Sequence, residues 1–196
     1  ETYGSTERIL GTWFQKTGNR DKVVLASKIA GPNPNFTYMR EKNDFSPASI
    51  QYALDKSLER LQTDYIDLYQ LHWPERKTNF FGQRGFKVQD DAWEDNIHAV
   101  LETLNGFIQQ GKIKHIGLSN ETPWGIMRFL EESKYHNLPR IKTVQNPYSL
   151  LNRLYENGSA EIGIRENVGL LAYSPMAFGV LSGKFLTGES HPNARI

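Results

Sequence analysis

Cysteine is absent from this chain of 196 residues. The absence excludes disulfide bonds, thiolate nucleophiles and cysteine-ligated metal centres, and it agrees with a reducing compartment. Lysine and arginine (23) barely outnumber aspartate and glutamate (22), and there is no dense basic run, so we expect no nucleic-acid partner. No run approaches the roughly 18 apolar residues of a membrane span, and no segment resembles a signal peptide. We therefore expect a soluble, cytoplasmic protein without membrane insertion.

Five short apolar runs rich in β-branched residues alternate with helical patterns, which predicts an α/β fold with a parallel sheet. The runs are Val23–Ala26, Tyr65–Leu71, Ile113–Leu118, Ile141–Val144 and Val168–Tyr173. This order fits either an open doubly wound sheet or a closed barrel. The open sheet requires a G-x-G-x-x-G turn after an early strand, but the sequence there is Ile29-Ala30-Gly31-Pro32. The missing turn favours the barrel.

Local signals mark the helices between the runs. Ser46-Pro47 and Thr122-Pro123 are N-cap and first-turn pairs, and Gly111 is a typical helix stop. We expect further helices from about Trp93 and over 159–166, and the tail of an earlier unit over 3–14. The apolar residues at helical spacing that we expect to face the core are Ile9, Phe14, Ile50, Leu54, Leu58, Leu61, Ile97, Val100, Leu101, Leu104 and Ile108.

The length fits one domain, residues 1–196, but is short of the roughly 250 residues of a complete eight-unit barrel. No linker or low-complexity segment divides the chain. The first residue is Glu1, and the last residues, up to Ile196, are polar in character. We expect a (β/α)8 barrel that is incomplete, with about five units, and truncated at both ends.

Polar residues follow each apolar run, where a β/α barrel carries its reactive groups. Ser or Asn residues at strand ends could serve only as helix caps. Lys, His, Asn, Gln and Tyr together at one end of a barrel are a more specific signal, and they predict a shared site. The residues are Ser27, Lys28, Gln70, His72, Ser119, Asn120, Gln145, Asn146, Tyr173 and Ser174.

Four motifs made of these residues give the chain a close resemblance to the aldo-keto reductases, over essentially its whole length. The stretch from Gln145 to Arg153 resembles the Tas-like branch of that family, which is also related to the potassium-channel β subunits. The four motifs are Leu25-Ala26-Ser27-Lys28, Leu68-Tyr69-Gln70-Leu71-His72-Trp73-Pro74, Ile116-Gly117-Leu118-Ser119-Asn120 and Ala172-Tyr173-Ser174-Pro175.

The resemblance implies the third to seventh strands of the barrel and NADPH-dependent reduction of a carbonyl group. Lys28 and His72 match two of the family's four catalytic residues: the lysine that lowers the pKa of a tyrosine acid, and the histidine that orients the carbonyl. The aspartate and the tyrosine acid would lie upstream of Glu1. Tyr3 could take the place of the tyrosine acid, but it lies closer to Glu7 than the family pattern allows, so we give this assignment little weight. Taken alone, Lys28 is better explained as a solvated lysine at a strand end and His72 as a hydrogen-bonded core histidine, but their occurrence together in these motifs favours the catalytic interpretation.

The cofactor implied by the resemblance is NADPH/NADP. Ser119, Asn120 and Gln145 would hydrogen-bond the nicotinamide carboxamide, and Tyr173 would stack on its ring. The segment 174–184 matches the loop over the pyrophosphate, although a glycine-rich loop after a strand is commonly just a loop. The residues implied there are Ser174, Pro175, Met176, Gly179, Leu181, Gly183 and Lys184.

The loop between Pro74 and Trp93 carries Phe80, Phe81 and Phe86. It could wall a pocket for a small carbonyl substrate or pack only on its own aromatics. The five histidines fall on different elements without ligand spacing, so the sequence implies no metal.

Three hypotheses for function remain at the sequence level. The first is an aldo-keto reductase, an enzyme whose 196-residue piece would have little activity because the aspartate and tyrosine are missing. The second is a cofactor-binding auxiliary or regulatory protein resembling the channel β subunits. The third is a fragment without function by itself, with two unpaired sheet edges. The substrate, the preference for NADPH over NADH and the oligomeric state are left open.

Overall fold

One parallel sheet of five strands organises the chain. The computed structural model describes residues 4–36, 38–40, 42–88, 90–186, 188 and 192–194. Within them the strands lie in the order β1-β2-β3-β4-β5, and every neighbouring pair is parallel. The strands are β1 (Ala26–Ile29), β2 (Ile66–Leu71), β3 (Ile113–Ser119), β4 (Ile141–Gln145) and β5 (Gly169–Leu170).

Five α-helices in the described residues cover one face of this sheet. Consecutive helices pack on each other, and α2 and α3 also contact the sheet. The helices are α1 (Ser5–Thr17), α2 (Pro47–Leu61), α3 (Ile97–Gln109), α4 (Pro123–His136) and α5 (Ser159–Arg165).

The strand order distinguishes the two candidate folds. An open doubly wound sheet reverses its strand order at a switch point, which places helices on both faces. Here the spatial order equals the sequence order and the helices form a single layer. This is the winding of a β/α barrel, and it confirms the prediction of an α/β fold of the barrel type with about five units.

The structure confirms the predicted helix caps. Ser46 and Thr122 precede α2 and α4 and accept hydrogen bonds from the backbone N–H groups of Ser49 and Gly125, three residues on. Gly111, just past α3, has φ of 73°, which a residue with a side chain adopts only at a cost.

Some element boundaries differ from the predictions. β1 begins at Ala26 and not at Val23, because Val24 is 83% exposed and pairing with β2 starts only where the Leu25 carbonyl accepts from Asp67 and Leu68. The helix expected from about Trp93 begins at Ile97.

Two further expectations were wrong in detail. Ile9 does not face the core: it is 70% exposed, and Leu10 packs inward together with Phe14. The fifth apolar run was expected to form a strand up to Tyr173, but regular pairing covers only two of its residues, Gly169 and Leu170. Beyond them the backbone stays next to the segment after β4, because the Tyr173 N–H donates to the Asn146 carbonyl (3.1 Å).

The core lies between the sheet and the helix layer. Strand residues such as Tyr69, Leu71, Ile116, Leu118 and Val144 point into it together with the apolar faces of the helices. Because side chains alternate along a strand, the residues between them lie on the opposite, inner face of the sheet. In the described part of the chain, no helix is both long enough and apolar enough to cross a membrane.

Candidate active site

The inner face of the sheet carries the residues singled out by the sequence. One row crosses all five strands in register: Lys28 pairs with Gln70, Gln70 with Gly117, Gly117 with Thr143, and Thr143 with Gly169. The next row of this face lies two residues closer to the carboxyl ends of the strands and contains His72, Ser119 and Gln145. Parallel strands therefore bring residues from distant parts of the sequence to one edge.

Asn120 joins this second row into a hydrogen-bond network. Its Nδ2 donates to the His72 carbonyl (2.9 Å) and to the Ser119 hydroxyl (3.1 Å), and its Oδ1 accepts from the Tyr173 hydroxyl (2.7 Å). The Ser119 hydroxyl in turn donates to the Gln145 carbonyl (2.8 Å). Asn120 has φ of 53°, a left-handed conformation that asparagine tolerates better than most residues. Five of the predicted site residues thus form one connected group.

His72 is kept in its neutral form by its surroundings. Burial is the main cause and the positive charge of Lys28 is the second, and together they lower the pKa of His72 from 6.5 to about 4. At neutral pH its imidazole is uncharged and carries one N–H donor.

Gln145 and Tyr173 differ in the hydrogen bonds that their side chains make. The Gln145 side-chain amide makes no hydrogen bond to any residue that the structure describes, so both its donor and its acceptor can meet a ligand. The Tyr173 ring is half-buried, and burial raises the pKa of its phenol, which stays protonated and bound to Asn120.

The loop after Tyr173 has an unusual backbone. Ser174, Ala177, Phe178 and Gly179 all have positive φ, and a tight turn spans Ala177–Ser182. Gly179 has φ of 101°, which a residue with a side chain rarely adopts, and the Lys184 amine lies 3.1 Å from the position that a Cβ would take there. The left-handed residues turn the chain sharply and bring the Lys184 amine beside Gly179.

The other residues of this loop that were predicted to contact the cofactor differ in exposure and backbone conformation. Pro175 and Met176 are exposed, Leu181 is half-buried, and Gly183 has φ of 82°. The Met176 carbonyl accepts from the Leu181 N–H (3.2 Å), which closes the turn.

An aromatic cavity of about 200 Å³ opens beside His72. Phe80 and Phe81 line it together with residues that follow β1 and β2, and their rings also pack edge to face on each other with centroids 5.0 Å apart. The complete lining is Ala30, Pro32, Asn33, Phe36, Tyr38, Met39, His72, Trp73, Phe80 and Phe81.

Phe86 and Trp93, the other aromatics of this loop, lie elsewhere. Phe86 is 66% exposed and lines a separate groove with Trp124, and Trp93 packs edge-on against Trp124. Tyr3, the weak candidate for the missing acid, lies outside the described residues.

Sequence reasoning missed a buried ion pair that supports the row. The Arg76 guanidinium donates hydrogen bonds to both carboxylate oxygens of Glu121, the residue after Asn120. It also donates to the Thr122 hydroxyl (2.9 Å). Asn146 exchanges two hydrogen bonds with the Glu121 backbone. Glu121 directly after Ser119-Asn120 was a weak signal, but nothing in the sequence marked Arg76 as its partner.

Comparison with known proteins agrees with this geometry. The family model described as "Aldo/keto reductase family" matches residues 1–195. "Protein tas" of Escherichia coli K12 is 48% identical over the whole chain, which covers 57% of that relative. An "Aldo-keto reductase" of Babesia bovis is 40% identical over 84% of the chain and 62% of its own length. "Aldo-keto reductase yakc [NADP(+)]" of Schizosaccharomyces pombe is 29% identical over 97% of the chain and 50% of its own length. The chain thus spans about half to two thirds of these relatives.

Proposed function

The chain belongs to the aldo/keto reductase family, and on this premise we propose that the protein containing it reduces aldehydes or ketones to alcohols with NADPH. The observation that carries the proposal is the hydrogen-bonded row of His72, Ser119, Asn120 and Tyr173 at the carboxyl ends of neighbouring strands, beside an aromatic cavity that His72 also lines. A row of this kind can bind a planar amide and a carbonyl group side by side.

His72 and Lys28 are assigned complementary roles. The neutral imidazole of His72 donates its N–H to the carbonyl oxygen of the substrate and orients it. The ammonium group of Lys28 lies in the adjacent row, where its charge disfavours the imidazolium form and stabilises negative charge that develops on that oxygen.

Gln145, Tyr173 and the loop up to Lys184 are assigned to the cofactor. The reduced nicotinamide supplies the hydride when it is bound. The Gln145 amide, with Ser119 and Asn120, would hold its carboxamide, Tyr173 would cover one face of its ring, and Lys184 would contact phosphate. The choice of NADPH over NADH is supported by the NADP(+) in the name of the Schizosaccharomyces pombe relative.

The cavity favours carbonyl compounds with an apolar or aromatic substituent. Its volume of about 200 Å³ and its lining by Phe36, Trp73, Phe80 and Phe81 suit one aromatic ring. We expect benzaldehyde-like substrates to have a lower KM than aliphatic aldehydes of two or three carbons.

The test combines cofactor binding with turnover in the full-length protein. NADPH and NADH are titrated separately by fluorescence, and NADPH oxidation is followed with an aromatic and a short aliphatic aldehyde. Gln145→Ala should weaken NADPH binding roughly 3- to 10-fold, the value of about one hydrogen bond. Gln110→Ala, at the exposed end of α3, is the matched control and should leave binding unchanged.

The outcomes separate the hypotheses. NADPH binding with turnover that falls in His72→Gln supports the reductase. NADPH binding without turnover of any aldehyde would favour the auxiliary protein resembling channel β subunits. If neither nucleotide bound, the proposal would be overturned.

A further inference from the structure

We propose that α3 and α4 together form a Zn²⁺ site on the outside of the fold, built from His98, Glu132 and His136. The ligand atoms of these three side chains all lie within 4.8 Å of one another. One carboxylate oxygen, Glu132 Oε2, lies 3.0 Å from His98 Nδ1 and 3.3 Å from His136 Nε2. Two imidazoles and one carboxylate are a ligand set that Zn²⁺ prefers.

The distances need little change to accept the ion. Four ligands at zinc bond lengths lie about 3.4 Å from each other, close to the two contacts made by Glu132. The side chains of His98 and His136 are 42% and 51% exposed, so they can rotate, and solvent can reach the remaining coordination position. Their rings already meet edge to face with centroids 4.5 Å apart.

The surrounding side chains orient two of the ligands. The second nitrogen of His98, Nε2, lies 3.4 Å from the Glu102 carboxylate, one helical turn further along α3. A proton on Nε2 shared with Glu102 leaves the lone pair of Nδ1 directed at the site, which is the usual arrangement of a metal-bound histidine. Arg128 holds the other oxygen of Glu132. Glu132 itself is only 8% exposed and is the most buried member of the group.

The charge balance also favours a cation. Arg128 is the nearest positive group, but its guanidinium is shared with Asp95 (2.8 Å). The site therefore contains three carboxylates and only one arginine beside the two imidazoles; the carboxylates belong to Asp95, Glu102 and Glu132. A divalent ion would be attracted by the remaining negative charge. The bound ion would join neighbouring helices of the outer layer, far from the inner face with the proposed cofactor site.

The test is a metal titration of the full-length protein after removal of metal with a chelator. Zn²⁺ binding is followed by calorimetry, Co²⁺ by its visible absorption, and the melting temperature is measured with and without Zn²⁺. We expect one tight equivalent, a tetrahedral Co²⁺ spectrum and a higher melting temperature with Zn²⁺. His98→Ala and His136→Ala should each weaken binding at least about tenfold and remove the stabilisation.

Two further variants keep the test decisive. Glu102→Gln should weaken binding severalfold while keeping one equivalent, since it alters only the partner of His98 Nε2. His115→Ala removes an exposed histidine of β3 and serves as the matched control, with affinity unchanged. Equal binding in all variants, or no tight equivalent in the unmodified protein, would overturn the proposal. Both histidines are partly exposed, so their replacement leaves the fold intact and the comparison valid.

Discussion

His72 takes its protonation state from the sheet around it and not from its own segment of the chain. Its place after a strand was predictable, because the apolar run ends one residue before it. Its protonation state was not, because it depends on burial and on Lys28, which is 44 residues away in the chain but lies in the neighbouring row of the sheet. Only the register of β1 and β2 brings the two groups together.

The depressed pKa of His72 makes the stability of the protein depend on pH. The His72 imidazole has a pKa of 6.5 in the unfolded chain and about 4 in the folded chain. The contribution of His72 to the free energy of unfolding is therefore fully present above pH 6.5 and decreases as the pH falls to 4. The loss amounts to at most about 3 kcal/mol. His72→Gln should flatten this part of the curve, as measured by urea unfolding at several pH values. Parallel curves for the two proteins between pH 4 and 6.5 would show that His72 does not titrate as described.

Lys28 provides a second prediction for the same residue. Lys28→Met removes the positive charge, so the pKa of His72 should rise, but it should stay below 6.5 because burial is the larger cause. The measurement is an NMR titration of the His72 imidazole. Lys142→Met, on an exposed position of β4, is the control and should leave the titration where it was. A pKa unmoved by Lys28→Met would contradict the assigned proximity of the two groups.

At the level of elements, the sequence located helix starts well where the signal was local. Ser46-Pro47 and Thr122-Pro123 carry both the capping side chain and the fixed φ of proline, so neighbouring residues decide the boundary. The start of β1 depends instead on when the chain meets β2. Val23 and Val24 have high strand propensity, but among the described residues no strand pairs with them, so the tertiary contacts outweigh the propensity.

The ion pair between Arg76 and Glu121 ties the segment after β2 to the start of α4. Both side chains are nearly buried, 12% and 4% exposed. Glu121→Gln leaves the guanidinium without its charge partner and should lower the free energy of unfolding by roughly 3 to 5 kcal/mol. Urea unfolding measures the change. Glu131→Gln, exposed on α4, is the matched control and should change little.

A double variant separates the loss of the pair from the cost of an unpaired charge. Arg76→Met combined with Glu121→Gln removes both charges, so it should be more stable than Glu121→Gln alone. If the double variant were as unstable as the sum of the two single variants, Arg76 and Glu121 would not act as a pair.

Across the whole molecule, the general arrangement could be predicted and the pairwise contacts could not. Alternating β and α patterns fix a parallel sheet, and a parallel sheet brings strand ends together, so the grouping of His72, Ser119, Asn120, Gln145 and Tyr173 was foreseeable. Arg76 and Glu121 are 45 residues apart and His98 and Glu132 are 34 residues apart, so no local pattern pairs them. Glu132 and His136 are four residues apart on α4, but that spacing alone does not bring in His98 of α3.

The two outer strands of the sheet govern how these 196 residues behave when they are produced alone. In the described residues, β1 pairs only with β2 and β5 only with β4, so each presents one row of backbone groups without a neighbouring strand. Such edges pair with other chains, and we expect the 196-residue piece to self-associate between about 1 and 100 µM. Light scattering coupled to gel filtration measures this, with the full-length protein as the comparison. A piece that stayed monomeric over this range would mean that its edges are protected by its own loops, and cofactor binding could then be measured on the piece directly.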